Sequence, residues 1–183
     1  MLDESKGTIY TAKTGARFLM RDARLDELGE IYAIWRAGME QHGYVLDPAK
    51  DPQYAGYLES LMRSRNDVYK FWVAESEAGE IAGWQALMPY SNNPFSRELA
   101  GESSTYVRPS AQVGGLAYIL LYHVIAHART TPLHHVVAFV AEDNRPVALL
   151  AEKLGGWQRI GVIPSSPKPP RRPGMVVFIN VLV

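Results

Sequence analysis

The spacing of apolar positions predicts an alternation of helices and strands along the chain. In four segments the apolar residues recur every three or four positions, which is the period of a helix with one buried face. The predicted helices are one that starts at Asp22 or Asp26 and ends before 42–44, and three over 51–65, 113–129 and 145–153. Short apolar runs bounded by turn residues are typical of strands. They occur at 17–21, 69–74, 81–88, 99–107, 136–141 and 175–183, and one more strand is predicted between the helix 145–153 and the loop 164–174.

The order of these elements predicts an α/β fold with a mixed central sheet. Segments 69–74 and 81–88 flank the turn residues Ala78 and Gly79, which favours an antiparallel hairpin. The run 136–141 is continuously apolar, which is typical of a strand buried on both faces. Helical segments precede and follow that run, so we expect a strand–helix–strand crossover in the second half.

Length and composition predict one globular domain. The chain has 183 residues, of which 47% are apolar and 21% charged. This length suits one domain and allows a sizeable core without disulfides. The first fifteen residues are polar and show no periodicity. We therefore expect a flexible N-terminal segment over 1–15 and a single domain over 16–183.

Charge and cysteine content narrow the possible functions. There are 19 basic and 19 acidic residues, which argues against a nucleic-acid partner. The chain has no cysteine, which excludes thiol nucleophiles and suits a reducing compartment. The first residues lack the pattern of a signal peptide, and the apolar stretch 114–128 is too short to span a bilayer. We expect a cytoplasmic protein without a membrane partner.

The most informative residues lie where the strand 99–107 turns into the following helix. That turn reads Gln112, Val113, Gly114, Gly115, Leu116 and Ala117. A helix N-terminus presents free backbone N–H groups and partial positive charge, and small residues let a pyrophosphate approach them. The same glycines are also compatible with a tight turn that only allows close packing. The residues alone leave both interpretations open.

The turn residues 112–117 resemble the Gln/Arg-x-x-Gly-x-Gly/Ala signature of the GNAT N-acetyltransferase superfamily. Asn144, followed by Leu154, Gly155, Gly156 and Trp157, is similar to a later motif of that superfamily. Glu102, Ser103, Tyr106 and Val107 further resemble the phosphinothricin (methionine sulfoximine) acetyltransferase-like branch. The likeness covers about residues 16–163.

The resemblance implies a mostly antiparallel sheet with helices on both faces and a splayed strand pair that binds acetyl-CoA. Pantetheine would lie between the strand that ends at Tyr106 and Val107 and the strand 136–141, with Asn144 in contact. The backbone of 113–117, preceded by Gln112, would hold the pyrophosphate. A small primary amine, expected to be an amino acid or an analogue, would attack the thioester directly.

The resemblance also implies roles for individual side chains. Glu102 would be the general base that removes the amine proton, although the same residue suits a solvated strand carboxylate. Tyr44, Trp84 and Tyr90 would line the acceptor pocket. Ala151 departs from the family, since a tyrosine or histidine that protonates the leaving thiolate is often found there.

Two alternatives to a small-molecule acetyltransferase remain open. Ala151 motivates a non-catalytic acyl-CoA-binding or sensing protein, and acetylation of a protein or peptide amine is the other. No metal is expected. His123 and His127 have a spacing that suits a metal, but no third ligand accompanies them, so we expect an ordinary helix face. The apolar terminal strand predicts a homodimer that covers this end of the sheet.

Overall fold

The computed structural model describes residues 2–111, 115–166 and 173–183, which contain eight strands and five α-helices. The strands are β1 (Thr8–Thr11), β2 (Arg17–Asp22), β3 (Lys70–Ser76), β4 (Ile81–Pro89), β5 (Ala100–Val107), β6 (His135–Ala141), β7 (Trp157–Ile163) and β8 (Met175–Val181). The helices are α1 (Leu28–Gln41), α2 (Asp51–Arg63), α3 (Pro94–Leu99), α4 (Leu116–Ala128) and α5 (Arg145–Leu154). Within this described part, no helix is both long and apolar enough to cross a bilayer.

The eight strands form one sheet in the order β1-β2-β3-β4-β5-β6-β8-β7. Every neighbouring pair is antiparallel except β5 and β6, which are parallel. Helix α4 connects these two strands and supplies the predicted crossover. The predicted α/β class with a mixed, mostly antiparallel sheet is therefore confirmed.

Helices cover both faces of the sheet and create two hydrophobic cores. On one face, α1 and α2 contribute Ile31, Ile34, Leu58 and Met62, which pack on strand residues such as Trp84. On the other face, α4 and α5 pack on β-strand residues; the buried helical side chains there are Leu116, Ile119, Leu120, Leu121, Val124, Ile125, Ala128 and Ala151. Strand β4 runs between the two layers, which explains why its residues from Ile81 to Met88 are all buried.

Two short elements differ from the sequence prediction. Strand β1 lies within the segment 1–15, where no regular structure was predicted, and it pairs with β2. Its position is fixed by buried Ala12 and by Tyr10, whose hydroxyl hydrogen-bonds His123 Nδ1 at 3.0 Å. Helix α3 was also missed. It begins because the Asn93 side chain accepts a hydrogen bond from the Phe95 N–H at 3.0 Å and Pro94 fits the first turn.

The terminal strand β8 is not at the edge of the sheet. It pairs with β6 on one side and with β7 on the other, so β7 is the edge. The prediction of an exposed edge at 175–183 is wrong, because β7 folds back onto β8 and covers it. Exposed apolar side chains at this end lie on β7, at Ile160, Val162 and Ile163, and also at Val181 of β8 and at Val183.

A buried ion-pair network fixes the start of α1 to the sheet. Arg21 of β2 is 9% exposed and donates to Glu27 at 2.6 Å and to Glu75 at 2.8 Å. Glu27 also accepts a hydrogen bond from the Arg24 backbone N–H at 2.7 Å. Burial alone would raise the pKa of Glu27, but the hydrogen bonds from Arg21 and Arg24 outweigh it and lower that pKa.

Candidate active site

Strands β5 and β6 separate from each other halfway along their length. They pair only over four residues each, from Ala100 to Ser103 in β5 and from His135 to Ala138 in β6. Beyond this point β5 continues beside β4 to Val107, while β6 continues beside β8 to Ala141. We call the gap between 104–107 and 139–141 the splay. Its two edges offer backbone groups to an extended ligand in the manner of an added strand.

The side of β5 that faces α4 is held by a buried amide. Gln85 of β4 is fully buried, and its Nε2 donates to Ser103 Oγ at 2.9 Å. The Thr105 hydroxyl donates to Gln85 Oε1. These contacts lie on either side of the point where β5 leaves β6, so they fix the direction of β5 along the splay.

Helix α1 crosses the splay on the other side of the sheet. Its Ile31 carbonyl accepts a hydrogen bond from the Trp84 indole of β4 at 3.0 Å. Further along α1, Gly38 lies against the Tyr106 ring of β5, so close that a Cβ there would be 2.8 Å from the ring. Immediately after α1, His42 contacts Asn144, which follows β6. The helix thus passes from β4 over β5 to the end of β6.

Helix α4 begins at the open end of the splay. Gly115 is its N-cap residue, with a φ of +116° that favours glycine, and Leu116 and Ala117 form the first turn. The free N–H groups of this turn are a suitable site for a phosphate. Gln112, Val113 and Gly114, which the sequence analysis also assigned to the coenzyme site, lie outside the described residues.

Glu102 lies at the base of the splay, in the last paired section of β5. It faces Met88 of β4 and Val137 of β6 in the strand register. Its side chain is half-buried, and burial raises the pKa of its carboxyl. A raised pKa makes the carboxylate a stronger base, which suits a general base that works near neutral pH.

Tyrosine side chains surround Glu102 on the face covered by α1 and α2. Partial burial and the charge of Glu102 raise the pKa of Tyr57 on α2, although this side chain is 62% exposed. Burial raises the pKa of Tyr106 to about 12, with smaller contributions from Tyr44 and Glu102. The predicted residues Glu102, Tyr44 and Tyr106 are therefore close enough to interact. Tyr57 was missed because the apolar stripe of α2 suggested a core position.

The other two predicted acceptor residues lie elsewhere. Trp84 is 1% exposed and stacks beneath Tyr106 with ring centroids 4.6 Å apart, which is inconsistent with direct contact to an acceptor. It supports the Tyr106 ring instead. Tyr90 is exposed, and its backbone N–H donates to the Ala100 carbonyl at 3.3 Å, at the end of β5 opposite the splay.

A histidine and an aspartate accompany Asn144 at the start of α5. Asn144 caps this helix through Oδ1, which accepts from the Val147 N–H at 3.4 Å, and its Nδ2 lies 3.3 Å from His42 Nε2. His42 Nδ1 lies 3.1 Å from Asp143 Oδ1. In the sequence, His42 only marks the end of a helix, since no local pattern connects residues 102 positions apart.

Three other positions from the sequence analysis have packing roles. Ala151 is 4% exposed in the core between α4, α5 and the sheet. Burial lowers the pKa of His123 to about 4, and His127 Nε2 hydrogen-bonds the Val68 carbonyl at 3.1 Å. In the part of the chain that the structure describes, no group of three or more acidic or histidine side chains could hold a metal ion.

The splay, the crossover helix and the residues around them agree with one protein family. Residues 17–156 match the acetyltransferase (GNAT) domain family. The match spans most of the chain, and the chain therefore belongs to the GNAT acetyltransferases. The family predicted from the turn at 112–117 is confirmed.

Solved structures share this fold over nine-tenths of the chain. A phosphinothricin acetyltransferase from Sinorhizobium meliloti, in complex with acetyl-CoA, has a TM-score of 0.75 at 20% identity and covers 90% of this chain and 88% of its own. A GCN5-related N-acetyltransferase from Kribbella flavida has a TM-score of 0.73 at 22% identity, with coverages of 90% and 98%. A ribosomal-protein-alanine N-acetyltransferase from Brucella melitensis has a TM-score of 0.73 at 24% identity, with coverages of 90% and 99%.

At these identities the likeness establishes the fold and nothing finer. A phosphinothricin acetyltransferase is among the similar structures, in agreement with the predicted resemblance to that branch. Among curated proteins, no sequence matches this chain.

Proposed function

We propose that the protein transfers an acetyl group from acetyl-CoA to the primary amine of a small molecule, with an amino acid or an analogue as the expected acceptor. The observation that carries this proposal is the position of Glu102 at the base of the splay, where a half-buried carboxylate meets a gap that suits an extended acyl carrier. A compartment that keeps thiols reduced, such as the cytoplasm, suits both the coenzyme and a chain without cysteine.

The two ends of the splay suit the two parts of the coenzyme. The first turn of α4, with Gly115, Leu116 and Ala117, would hold the pyrophosphate through backbone N–H groups. Backbone groups of Tyr106 and Val107, together with Asn144 across the gap, would contact the pantetheine arm. This arrangement would place the thioester near the point where β5 and β6 separate.

Glu102 would prepare the acceptor for attack. Lysine-type amines have a pKa of about 10.4 and α-amines about 8, so much of the acceptor is protonated at neutral pH. Transfer of that proton to the Glu102 carboxylate leaves a nucleophilic lone pair on nitrogen. Glu102 returns that proton to solvent. The amine then attacks the carbonyl carbon, the C–N bond forms, the C–S bond breaks and the thiolate departs, while the second proton of the nitrogen passes to Glu102.

The coenzyme site can be tested by a charge introduced into the first turn of α4. Ala117→Glu should weaken binding of acetyl-CoA by about 5–30-fold, because a carboxylate a few ångströms from the pyrophosphate costs about 1–2 kcal/mol. The same charge favours the N-terminus of a helix, so folding should not suffer. Isothermal titration calorimetry measures the affinity, and Ala117→Gln is the control for size. Equal affinity of the two variants would argue against a pyrophosphate at this turn.

Ala117 is a better position for this test than Gly115. The φ of Gly115 is strained for any other residue, and a Cβ there would lie 3.4 Å from the Ala12 side chain. A substitution of Gly115 would therefore change both the coenzyme site and the fold.

A non-catalytic acyl-CoA-binding protein is the second candidate, and the small side chain at Ala151 is the observation that favours it. Thiol release from acetyl-CoA, measured with a panel of amino acids, their analogues and peptides, separates the candidates. Release that depends on a small amine supports the proposed enzyme. Release with peptides alone would indicate acetylation of a protein or peptide, and tight binding without release would indicate a sensor.

We also propose a homodimer, with β7 as its contact in place of β8. Strand β7 is an unpaired edge with exposed Ile160 and Val162, and such edges are usually covered. Light scattering at tens of micromolar should give twice the mass of one chain. Val162→Lys should shift the mass toward one chain, whereas Val45→Lys, at a 77% exposed position elsewhere, should not. A single-chain mass for the unmodified protein would contradict the proposal.

A further inference from the structure

A hydrogen-bonded chain of three side chains crosses the open end of the splay. Asp143 and Asn144 come directly after β6, and His42 reaches them from the far end of α1. His42 is 23% exposed, so its ring is partly shielded and still accessible to a small molecule. Helix α1 lies on one face of the sheet and α5 on the other. The contact therefore joins the two layers where β5 and β6 have moved apart.

The reaction needs a proton on the sulfur that leaves inside the splay, and Ala151 does not supply it. When the C–S bond breaks, the sulfur leaves as a thiolate, and a thiol has a pKa of about 8.5. Protonation of the sulfur as it leaves favours the forward reaction at neutral pH. The methyl group of Ala151 has no proton to give, and it is buried in the core.

We propose that His42 donates the proton to the leaving thiolate, a role that rests on the proposed acetyl transfer. The Nε2 proton of the imidazolium passes to sulfur as the C–S bond breaks, while the amine proton passes to Glu102. Both groups then return to their starting states by exchange with solvent. Atoms and charge balance without any further reactant.

The two neighbours of His42 hold different forms of the ring. Asp143 pairs with a protonated Nδ1, whereas the Asn144 amide can donate only to an unprotonated Nε2, so the Asn144 contact has to open in the imidazolium. The Asp143 carboxylate, 3.1 Å from Nδ1, accepts a hydrogen bond from the ring and orients it. After Nε2 has lost its proton, Asn144 Nδ2 at 3.3 Å donates to the free lone pair. This pair of contacts resembles the arrangement by which an acid–base histidine is held in one tautomer by a carboxylate.

Tyr106, the other protic side chain beneath α1, is less suitable. Its hydroxyl points to the Met39 sulfur at 3.7 Å, and burial raises its pKa to about 12, far above that of a thiol. Tyr44 interacts with Tyr106 from the connection after α1, and it is the rival donor that the experiment must separate.

The first test is kinetic and uses chemical rescue. His42→Ala should slow thiol release with the best acceptor amine by about 10²-fold. Imidazole in the buffer should raise the rate of the variant by about tenfold or more. In a series of substituted imidazoles, the stronger proton donors should raise the rate further. His134→Ala, which removes an exposed histidine far from the splay, should show neither loss nor rescue.

The second test does not require turnover. The imidazole NMR signals of the five histidines are few enough to assign by substitution. Addition of coenzyme A should shift the His42 signal, and desulfo-coenzyme A, which lacks the sulfur, should shift it much less. Calorimetry should show that His42→Ala changes the affinity for coenzyme A by less than about threefold.

Each other outcome has a definite meaning. A rate for His42→Ala within twofold of the unmodified protein would overturn the proposal, as would a loss that imidazole does not restore and that parallels a loss of affinity. A large loss in Tyr44→Phe instead of His42→Ala would assign the donor to Tyr44. If the unmodified protein binds acetyl-CoA and releases no thiol with any amine, the acetyl transfer itself is wrong, and the role of His42 falls with it.

Discussion

Replacement of Glu102 by glutamine is expected to slow amine acetylation by about 10²–10⁴-fold, the usual cost of losing a general base. Glutamine keeps the size of the side chain and removes its basicity. Coenzyme affinity should change little, because the proposed phosphate site lies at the start of α4. Steady-state rates and calorimetry on the same preparation measure both quantities. Glu98→Gln, at an exposed position on α3, is the matched control.

The pH dependence should change with the same substitution. In the unmodified enzyme, kcat/KM should rise with pH as Glu102 loses its proton, through a pKa that burial has raised. In Glu102→Gln, the rise should follow the pKa of the free amine and move to higher pH. If the reaction requires only that the thioester and amine are held together, Glu102→Gln will retain its rate and its profile at every pH.

As pH rises, the stability of the unmodified protein should fall while its activity increases. A carboxyl whose pKa is raised by folding binds its proton more tightly in the folded state. Its contribution to stability is therefore present at low pH and is lost as pH rises through the raised pKa. Glu102→Gln cannot ionise, so its Tm relative to the unmodified protein should increase between acidic and alkaline pH. A Tm difference that does not depend on pH would contradict the burial of this charge.

Replacement of Arg21 by methionine is expected to destabilise the fold by about 3–5 kcal/mol, because it removes the buried partner of a buried carboxylate. Glu27 is 7% exposed in its side chain and would keep the hydrogen bond from the Arg24 backbone N–H and an ion pair with the exposed Arg24 guanidinium at 2.9 Å. Urea unfolding measures the change. The control is Arg63→Met, which removes an exposed pair with Glu59 and should cost less than about 1 kcal/mol.

The effect of Arg21→Met should depend on pH in a defined direction. The folded-state pKa of Glu27 is lowered, so the stability it contributes is present above its unfolded pKa and is lost as pH falls through the folded value. The difference between Arg21→Met and the unmodified protein should therefore shrink in acid. A difference that stays constant down to low pH would show that the loss comes from packing of the arginine side chain.

Local pattern and motif predicted the elements that bury a periodic apolar face, together with the position of Glu102. Strand β1 escaped prediction because only Ile9 and Tyr10 of its four residues are apolar, and it is stabilised by a neighbour strand and by His123. Helix α3 was not predicted because the sequence marks it only by the capping residue Asn93, and the helix has no stripe of buried apolar residues. Such elements depend on contacts that a local window does not contain.

The site residues divide in the same way. Asn144 and Glu102 belong to motifs that span a few positions. In the structure, Glu102 lies at the base of the splay and Asn144 follows β6 at its open end. Tyr57 and His42 reach the site from α2 and from the end of α1, and their partners lie far away in the sequence. Trp84 was assigned to the acceptor pocket from its strand, but whether a strand residue faces solvent or a covering helix depends on α1, which packs above it.

The splay also divides the sheet into two groups of strands, which come from the first and the second half of the chain. Strands β1 to β5 come from residues before 108, and β6 to β8 come from residues after 134. Among the strands that the structure describes, β5 and β6 are the pair that joins these two groups, through four residue pairs. A ligand lying in the gap touches both halves at once. Its binding therefore stabilises the folded sheet against separation of the two halves, since a ligand that binds only the folded state stabilises that state by mass action. Bound acetyl-CoA would bridge β5 and β6 where they do not pair with each other. The two parts of the sheet would therefore separate more easily in the free protein than in the complex.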